Sequence, residues 1–419
     1  MSNYDAGLAQ ISGAELYAGP DLAAAFSASL ALTARTALAQ PAPKIPKVLD
    51  DLFTGALNAS APKIWPASVL VIGQERLSAT TMRILFRGRL RAVDFCARHI
   101  LGTTDFEQSP VRSNDDRSPD VLVADHPLVD RTLFRALPAM RVPQWVRQRR
   151  ALRASWQETV QNIPISLRKK IARLLGDASY TVRIEAAPEA KAAFYNDVYL
   201  PYVTQRFGAA AIVANQRALL HQARHGVLLE LRLDGQPIGA TLVGREADTL
   251  YMSKSALVLG NSAPRAFDLL DYFCFLLAQL ARCRWLDFGV SRPHLEDGVF
   301  VNKTKWRPEL AVAGGLKTDL RIRPMNRSPA TLGFLSRNGF IERRGGQFIV
   351  RRLLTEGMPS PRDAAEIGDL ATRSGLDALI VAFCDAGETS KALANLDPWP
   401  RLRRLTSTAD PLRSFLLHA

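Results

Sequence analysis

Tyr251-Met-Ser-Lys254, then Arg265-Ala-Phe-Asp-Leu-Leu-Asp-Tyr-Phe-Cys-Phe-Leu-Leu-Ala-Gln-Leu-Ala-Arg-Cys283, then Arg284-Trp-Leu-Asp-Phe-Gly-Val-Ser-Arg292, then Glu296-Asp-Gly-Val-Phe-Val-Asn-Lys-Thr-Lys-Trp-Arg307: these four stretches decide the fold class. The first reads as the end of a strand and the second as a predominantly apolar, buried helix. The third reads as a second buried strand, and the fourth as a charged turn. Together they make a β-α-β unit with polar groups at the carboxyl end of its last strand. Open α/β sheets place ligands at that end.

Working upstream, Gly226 to Gly244 reads as a hairpin, with Asp234-Gly235 as the turn between two apolar runs. A second turn at Glu246-Ala-Asp248 leads into the strand that ends at Lys254. Tyr180-Thr-Val-Arg-Ile184 is a further strand. A helix is expected from Pro188 to about Gln205, kinked near Pro201, with Phe194, Val198 and Tyr202 at four-residue spacing. Before it, Ile165 to Leu175 carries Leu167, Ile171, Leu174 and Leu175 on one side and basic residues on the other. That is an amphipathic helix with a cationic outer face. Gly176 stops it.

Further upstream, a strand begins at Ser68 with Val-Leu-Val-Ile, and Thr80 to Arg98 mixes basic and apolar residues at helical spacing. Gln108 to Pro119 is a polar loop, and Asp120 to Ala124 restarts a strand. Alternating strand and helix points to an α/β layer. Downstream, strands are expected near Lys317–Arg323 and Gln347–Arg352, and Gly375 to Phe383 and Pro398 to Ala419 read as a further strand and helices. The resulting division is an Ala-rich extension with a prolyl linker at 1–45 and an α/β half at 46–154. An α/β domain at 155–350 and a C-terminal extension at 351–419 follow.

The chain has 419 residues, more than one ordinary core. Its 47% hydrophobic and 22% charged residues are those of a globular protein, and no apolar run is long enough for a membrane helix. Leu22 to Gln40 lacks a basic leader and contains Arg35, which argues against a signal peptide. The cysteines Cys96, Cys274, Cys283 and Cys384 form no C-x-x-C pair and read as inert core thiols of a reducing, cytoplasmic protein. His221 and His225 lie at i, i+4 without a third ligand, so no metal is expected. The formal charge of +14 is clustered: Arg141 to Arg173 holds nine basic residues against Glu158, and Arg321 to Arg352 eight arginines against Glu342. Such runs attract nucleic acid, phosphorylated cofactors or an acidic membrane surface, or serve as a solvated face.

Four segments carry a family resemblance. They are Pro164-Ile-Ser-Leu-Arg-Lys-Lys170, Phe194-Tyr-Asn-Asp-Val-Tyr-Leu-Pro-Tyr-Val-Thr-Gln-Arg-Phe-Gly208, Asp234-Gly-Gln-Pro-Ile-Gly-Ala240, and Leu286-Asp-Phe-Gly-Val-Ser-Arg292 with Asp297 to Trp306. In this order, over about 155 to 325, they resemble the FemAB-like branch of the GNAT acyltransferase superfamily (BioF-like acetyltransferase domain). The resemblance implies an α/β GNAT fold, arranged as two GNAT-like halves with the first a degenerate copy, followed by the C-terminal extension. Two positions depart from the family pattern. Leu259-Gly-Asn-Ser-Ala-Pro-Arg265 has Gly260 but no second glycine where acyl-CoA enzymes hold pyrophosphate, and Arg307 stands where glycine is usual.

The resemblance and the placement of polar groups give Asp287, Lys303 and Lys305 as catalytic candidates. Tyr202, Arg206, Tyr251, Lys254, Ser291 and Arg292 are the substrate-binding candidates. Acyl transfer to an amine needs a deprotonated nucleophile and a donor to the developing oxyanion. Asp287 is placed as a base or as the group that orients Arg292. Lys303 and Lys305, two apart in an extended turn, share a face. Their alternative is structural: Asp287–Arg292 and Lys303–Asp297 as ion pairs fixing the turn. Arg206 is equally an ordinary helix end. Trp145, Trp156 and Trp306 lie among basic residues and serve either stacking on nucleic acid or cation–π cover. Asp287, Arg292 and Lys303 are expected to line one cleft.

The expected activity is N-acyl transfer by direct attack, from an acyl or aminoacyl donor to an amine of a cell-envelope or secondary-metabolite precursor. No tightly bound cofactor is expected, and the donor co-substrate is either aminoacyl-tRNA or acyl-CoA. Contact with tRNA and peripheral membrane association are both compatible with the charge, without a membrane span. The alternatives are an acyl-CoA-dependent GNAT acetyltransferase with a divergent pyrophosphate loop, and a non-catalytic polyanion-binding module.

Overall fold

The computed structural model describes residues 10–12, 67–88, 92–111, 118–125, 139–176, 180–208, 213–260, 265–313, 319–354, 369, 372, 374–383 and 402–405. The Pro linker, most of the Ala-rich extension, most of the Leu259–Arg265 stretch and most of the final segment lie outside the described residues. The chain divides into two compact units, each built from two separated segments: Met1–Ser60 with Arg147–Gly289, and Ala61–Val146 with Val290–Ala419. These units cut across linear boundaries at 154 and 350.

In the first unit the strands are β1 (Gln10–Ser12), β2 (Val146–Ala151), β3 (Tyr180–Glu185), β4 (Val227–Leu233), β5 (Gln236–Glu246), β6 (Thr249–Leu257) and β7 (Trp285–Ser291). Their order across the sheet is β1-β3-β4-β5-β6-β7-β2. From β3 to β6 every pairing is antiparallel, and β6 and β7 run parallel. Asp234 and Gly235 both take positive φ (51° and 75°), which matches a two-residue turn to the right-handed twist of β4 and β5.

The helices are α1 (Trp156–Gln161), α2 (Ile165–Leu175), α3 (Pro188–Ala193), α4 (Leu200–Phe207), α5 (Gln216–Gln222) and α6 (Ala266–Leu280). A parallel pair needs a crossover, and α6 supplies it between β6 and β7. Leu269 through Ala278 are all buried, Asp271 included, so α6 is enclosed on every side rather than amphipathic. By contrast α2 buries only Leu167, Ile171 and Leu175 and keeps its basic residues outward. Between α3 and α4 the helix widens into a π-helical segment, Phe194–Tyr199, and Pro201 follows in the first turn of α4. Proline has no N–H and crowds the carbonyl four residues earlier, and the wider turn accommodates both.

The second unit holds a six-stranded sheet in the order Phe106–Pro110, Ala67–Gln74, Thr81–Gly88, Val121–Asp125, Leu320–Pro324 and Met140–Val142. Thr81–Gly88 and Val121–Asp125 run parallel, and the helix Val93–Leu101 lies between them in sequence. This corrects the helix expected over Thr80–Arg98. Met82, Ile84, Phe86 and Gly88 are buried in strict alternation, the period of a strand, and the helix begins only at Val93. The polar loop expected from Gln108 likewise begins inside a strand, which pairs Phe106 to Pro110 with Gly73 to Val69. The core of this unit joins Val71, Met82, Ile84, Phe86, Ile100, Phe334 and Phe340. A second, four-stranded sheet orders Glu342–Arg344, Gln347–Leu354, Ala378–Phe383 and Leu402–Leu405, the last three parallel. Among the described residues, no helix is long and apolar enough to cross a membrane.

Candidate active site

Strands β6 and β7 are paired over only three residues: Thr249 with Trp285, Leu250 with Leu286, and Tyr251 with Asp287. Two local features coincide with the end of that ladder. On β6, Leu242 faces Lys254 and Val243 faces Met252, so Ser253 is an extra, bulged residue. On β7, Gly289 takes φ +75°, and a Cβ there would lie 2.8 Å from the carbonyl oxygen of Met252. Only glycine fits this close, left-handed turn. Beyond it β6 continues to Leu257 with no register partner in β7.

Asp287 sits at that point, 2% exposed. Its Oδ2 accepts from Arg147 Nη1 at 2.6 Å and its Oδ1 from the Gly289 N–H at 2.7 Å. The carboxylate therefore fixes the turn in which β7 leaves β6. Arg147, on β2, takes the place beside Asp287 expected for Arg292. It lay unnoticed in the Arg141–Arg173 basic run, where nothing local distinguishes it. The Tyr251 ring lies over Gly244 on β5, where any side chain would collide with it.

Close to the free half of β6, the helical segment Phe194–Phe207 brings an aromatic group together. Lys254 Nζ lies 5.9 Å from the centre of the Tyr199 ring. Tyr202 meets Phe267, at the start of α6, edge to face with ring centres 5.9 Å apart. Arg206 donates to the Tyr202 hydroxyl, and its guanidinium also covers Phe207. Tyr202, Arg206 and Lys254 are thus assembled around one end of β6 and α6. Tyr199 was missed; it is buried, and burial raises its pKa above the usual phenol range.

Arg292, Ser291, Lys303 and Lys305 belong to the second unit, and Asp287 to the first. The stretch after β7 is a helix, Gly298–Thr304, rather than an extended turn. Asp297 caps it, its Oδ1 accepting from the N–H groups of Val299 and Phe300 at 3.1 Å. Two residues apart on a helix point to opposite sides, so Lys303 and Lys305 do not share a face. Lys303 Nζ donates to the Val290 carbonyl at 2.9 Å, and Lys305 Nζ to Asn302 Oδ1 at 2.9 Å. Arg292 lies between two rings, 4.3 Å from the centre of Trp145 and 4.9 Å from that of Phe95. Burial lowers its pKa, with Cys96 and Asp297 opposing. Ser291 is buried. Trp145 is covered by an arginine, Trp306 is buried and Trp156 packs edge to face on Tyr272.

An antiparallel series β3-β4-β5-β6, a buried crossover helix and a parallel, partly separated last strand make a GNAT-like α/β fold, the one that the FemAB-like resemblance implies. No family model matches the chain, and no curated protein matches it. Among solved structures the chain is similar to FemX, at 12% identity over 64% of this chain and 87% of that one, with a TM-score of 0.33. It is similar to L-PGS from Bacillus licheniformis at 13% identity over 64% and 84%, with a TM-score of 0.31. A tandem GNAT protein from the clavulanic acid biosynthesis pathway is 13% identical over 77% of this chain and all of that one, 100%, with a TM-score of 0.30. Likenesses this loose carry no activity or substrate over to this chain.

Proposed function

We propose that the chain is an N-acyltransferase, and that the gap where β6 and β7 part receives the acyl or aminoacyl donor. The single observation that carries this reading is the early end of the β6–β7 ladder at Tyr251 and Asp287. Parted parallel strands turn backbone N–H and C=O groups toward the gap, and an extended donor bearing amide groups satisfies them as an added strand does.

In this reading the amine lone pair attacks the acyl carbonyl carbon. The carbonyl oxygen takes up negative charge, the bond to the leaving sulfur or oxygen breaks, and the amine's proton leaves with that group or to water. Backbone N–H groups near the Ser253 bulge are the donors to the oxyanion. Tyr202 and Arg206 bind the polar part of the donor, and Lys254 offers a positive charge at the same end of β6. Asp287 acts here as a positioning residue, since both of its oxygens hold the strand turn. Lys303 and Lys305 hold the ends of β7 and of the following helix.

The test is a titration of the full-length protein against acetyl-CoA and against aminoacyl-tRNA at two salt concentrations, followed by an amide-formation assay with the donor that binds. Acetyl-CoA binding with little salt dependence assigns an acyl-CoA donor. Salt-sensitive binding of the charged tRNA, stronger than that of uncharged tRNA, assigns an aminoacyl donor. Lys254→Met and Tyr202→Phe are expected to raise KM for that donor. Binding of charged and uncharged tRNA alike, with no amide formed, overturns the proposal in favour of a polyanion-binding module.

A further inference from the structure

At the opposite end of α6 from this gap, the first unit carries a surface-open cavity of about 610 Å³. This volume is in the range of small-molecule sites, about 300–1,000 Å³. The fifteen residues of α6 separate the two places by about 20 Å at 1.5 Å per residue. Leu152, Trp156, Leu276, Leu280 and Cys283 give the cavity an apolar lining, and Arg153, Arg282 and Arg284 stand exposed around it.

The walls are fixed from several directions. Gln279 Nε2 donates to the carbonyls of Arg153 and Ala154 at 3.2 and 3.3 Å, and its Oε1 accepts from Thr159 Oγ1 at 3.1 Å. The Leu152 N–H donates to the Arg284 carbonyl at 2.8 Å. Trp156 packs on Tyr272 with ring centres 5.4 Å apart. A site already held open loses little freedom on binding. Arg282 follows α6 with φ +54°, a left-handed helix end. The side chain of Arg284 is 79% exposed, and its nearest carboxylate, Asp248, is 3.9 Å away. An exposed pair of that length contributes little, and the guanidinium is available to a ligand.

We propose that this cavity binds a single-chain anionic amphiphile, with its apolar tail against Leu152, Leu276 and Leu280 and its carboxylate or phosphate on Arg153, Arg282 and Arg284. Charge complementarity selects the occupant: three exposed arginines are among the residues that line an otherwise mostly apolar cavity, and planar guanidinium groups pair bidentately with such heads. A cluster of arginines at a helix C-terminus also suits the helix dipole, so the test separates ligand binding from that role.

The probe is sodium dodecanoate below its micelle concentration, titrated into the full-length protein by calorimetry, with dodecyl maltoside as the uncharged control. Saturable one-to-one binding of dodecanoate is expected, with weaker binding of the maltoside. The double change Arg153→Gln with Arg282→Gln is expected to weaken dodecanoate by about tenfold or more, the loss of roughly 1.4 kcal/mol of binding free energy. Ala154→Trp, which fills the cavity from its exposed edge, is expected to abolish binding and leave the circular dichroism and melting temperature unchanged. Sedimentation with phosphatidylcholine vesicles, with and without phosphatidylserine, distinguishes the source of the ligand. Pelleting only with the acidic vesicles, lost in the double variant, assigns a membrane lipid. Dodecanoate binding without pelleting assigns a free fatty acid. Equal binding of the maltoside, unchanged dodecanoate binding in either variant, or no saturable binding overturns the proposal. Donor binding at the β6–β7 gap is read independently through Lys254→Met, so either proposal can fail without the other.

Discussion

Arg147 Nη1 lies 2.6 Å from Asp287 Oδ2, an ion pair between residues 140 positions apart in sequence. Asp287 is buried, whereas the Arg147 side chain is 31% exposed, so the pair is half in solvent. The same carboxylate holds the N–H of Gly289, the residue at which β7 turns away from β6. The pair thus ties β2 to the turn on which the gap depends.

Asp287→Ala is expected to destabilise the protein by about 1–3 kcal/mol, because the part-buried Gly289 N–H loses its acceptor and Arg147 its partner. Asp287→Asn keeps an oxygen for that N–H and costs less. Urea denaturation compares the two. A donor-binding assay on Asp287→Asn separates positioning from catalysis. In the positioning role KM rises, whereas a base would lose kcat with KM unchanged.

A second expectation concerns acid. In the second unit His99 and His294 stack with ring centres 3.7 Å apart, both against Phe340. Burial, with Arg98, Arg337 and Arg292 nearby, lowers His99 from 6.5 to about 3. Burial and the His99 ring lower His294 well below its ordinary value. Both imidazoles are neutral in the folded protein. The unfolded chain takes up protons on them below about pH 6.5, whereas in the folded chain His99 does so only near pH 3 and His294 only well below its ordinary range. Their contribution is therefore whole above pH 6.5 and is lost as pH falls toward 3. Melting temperature followed from pH 7 to pH 4 is expected to fall, and to fall less steeply in His99→Phe.

The last expectation concerns Glu342 and Arg351, which form a bidentate pair with both side chains almost wholly buried, at 3% and 2% exposure. Removing one member leaves a buried charge without its partner. Glu342→Gln is expected to cost about 3–5 kcal/mol, and Glu342→Leu combined with Arg351→Met markedly less. Chemical denaturation of the single and double variants measures the difference.

Much of the first unit was legible in the residues. Asp234-Gly235 marks its hairpin, the predominantly apolar stretch Leu269–Ala278, broken only by Asp271, marks its crossover helix, and Leu167, Ile171 and Leu175 mark the face of α2. These are local signals: side-chain periodicity and turn conformation depend on neighbours in sequence. Thr80–Arg98 was misread because its apolar residues fit two periods at once, and pairing with Ala67–Gln74 selected the strand. Glu296–Arg307 was misread because Asp297, taken as an ion-pair partner, is a helix cap.

The sequence by itself determined the α/β class, the order β3 to β7 and the group of residues from which the site is drawn, since turn chemistry and hydrophobic period act over a few residues. Only the tertiary structure decided that Asp287 pairs with Arg147, that β6 and β7 part after three residues, and that Tyr199 stands beside Lys254. It also decided that three arginines line one cavity. Each of these depends on residues far apart in sequence being brought together by packing, and no local pattern records that choice of partner.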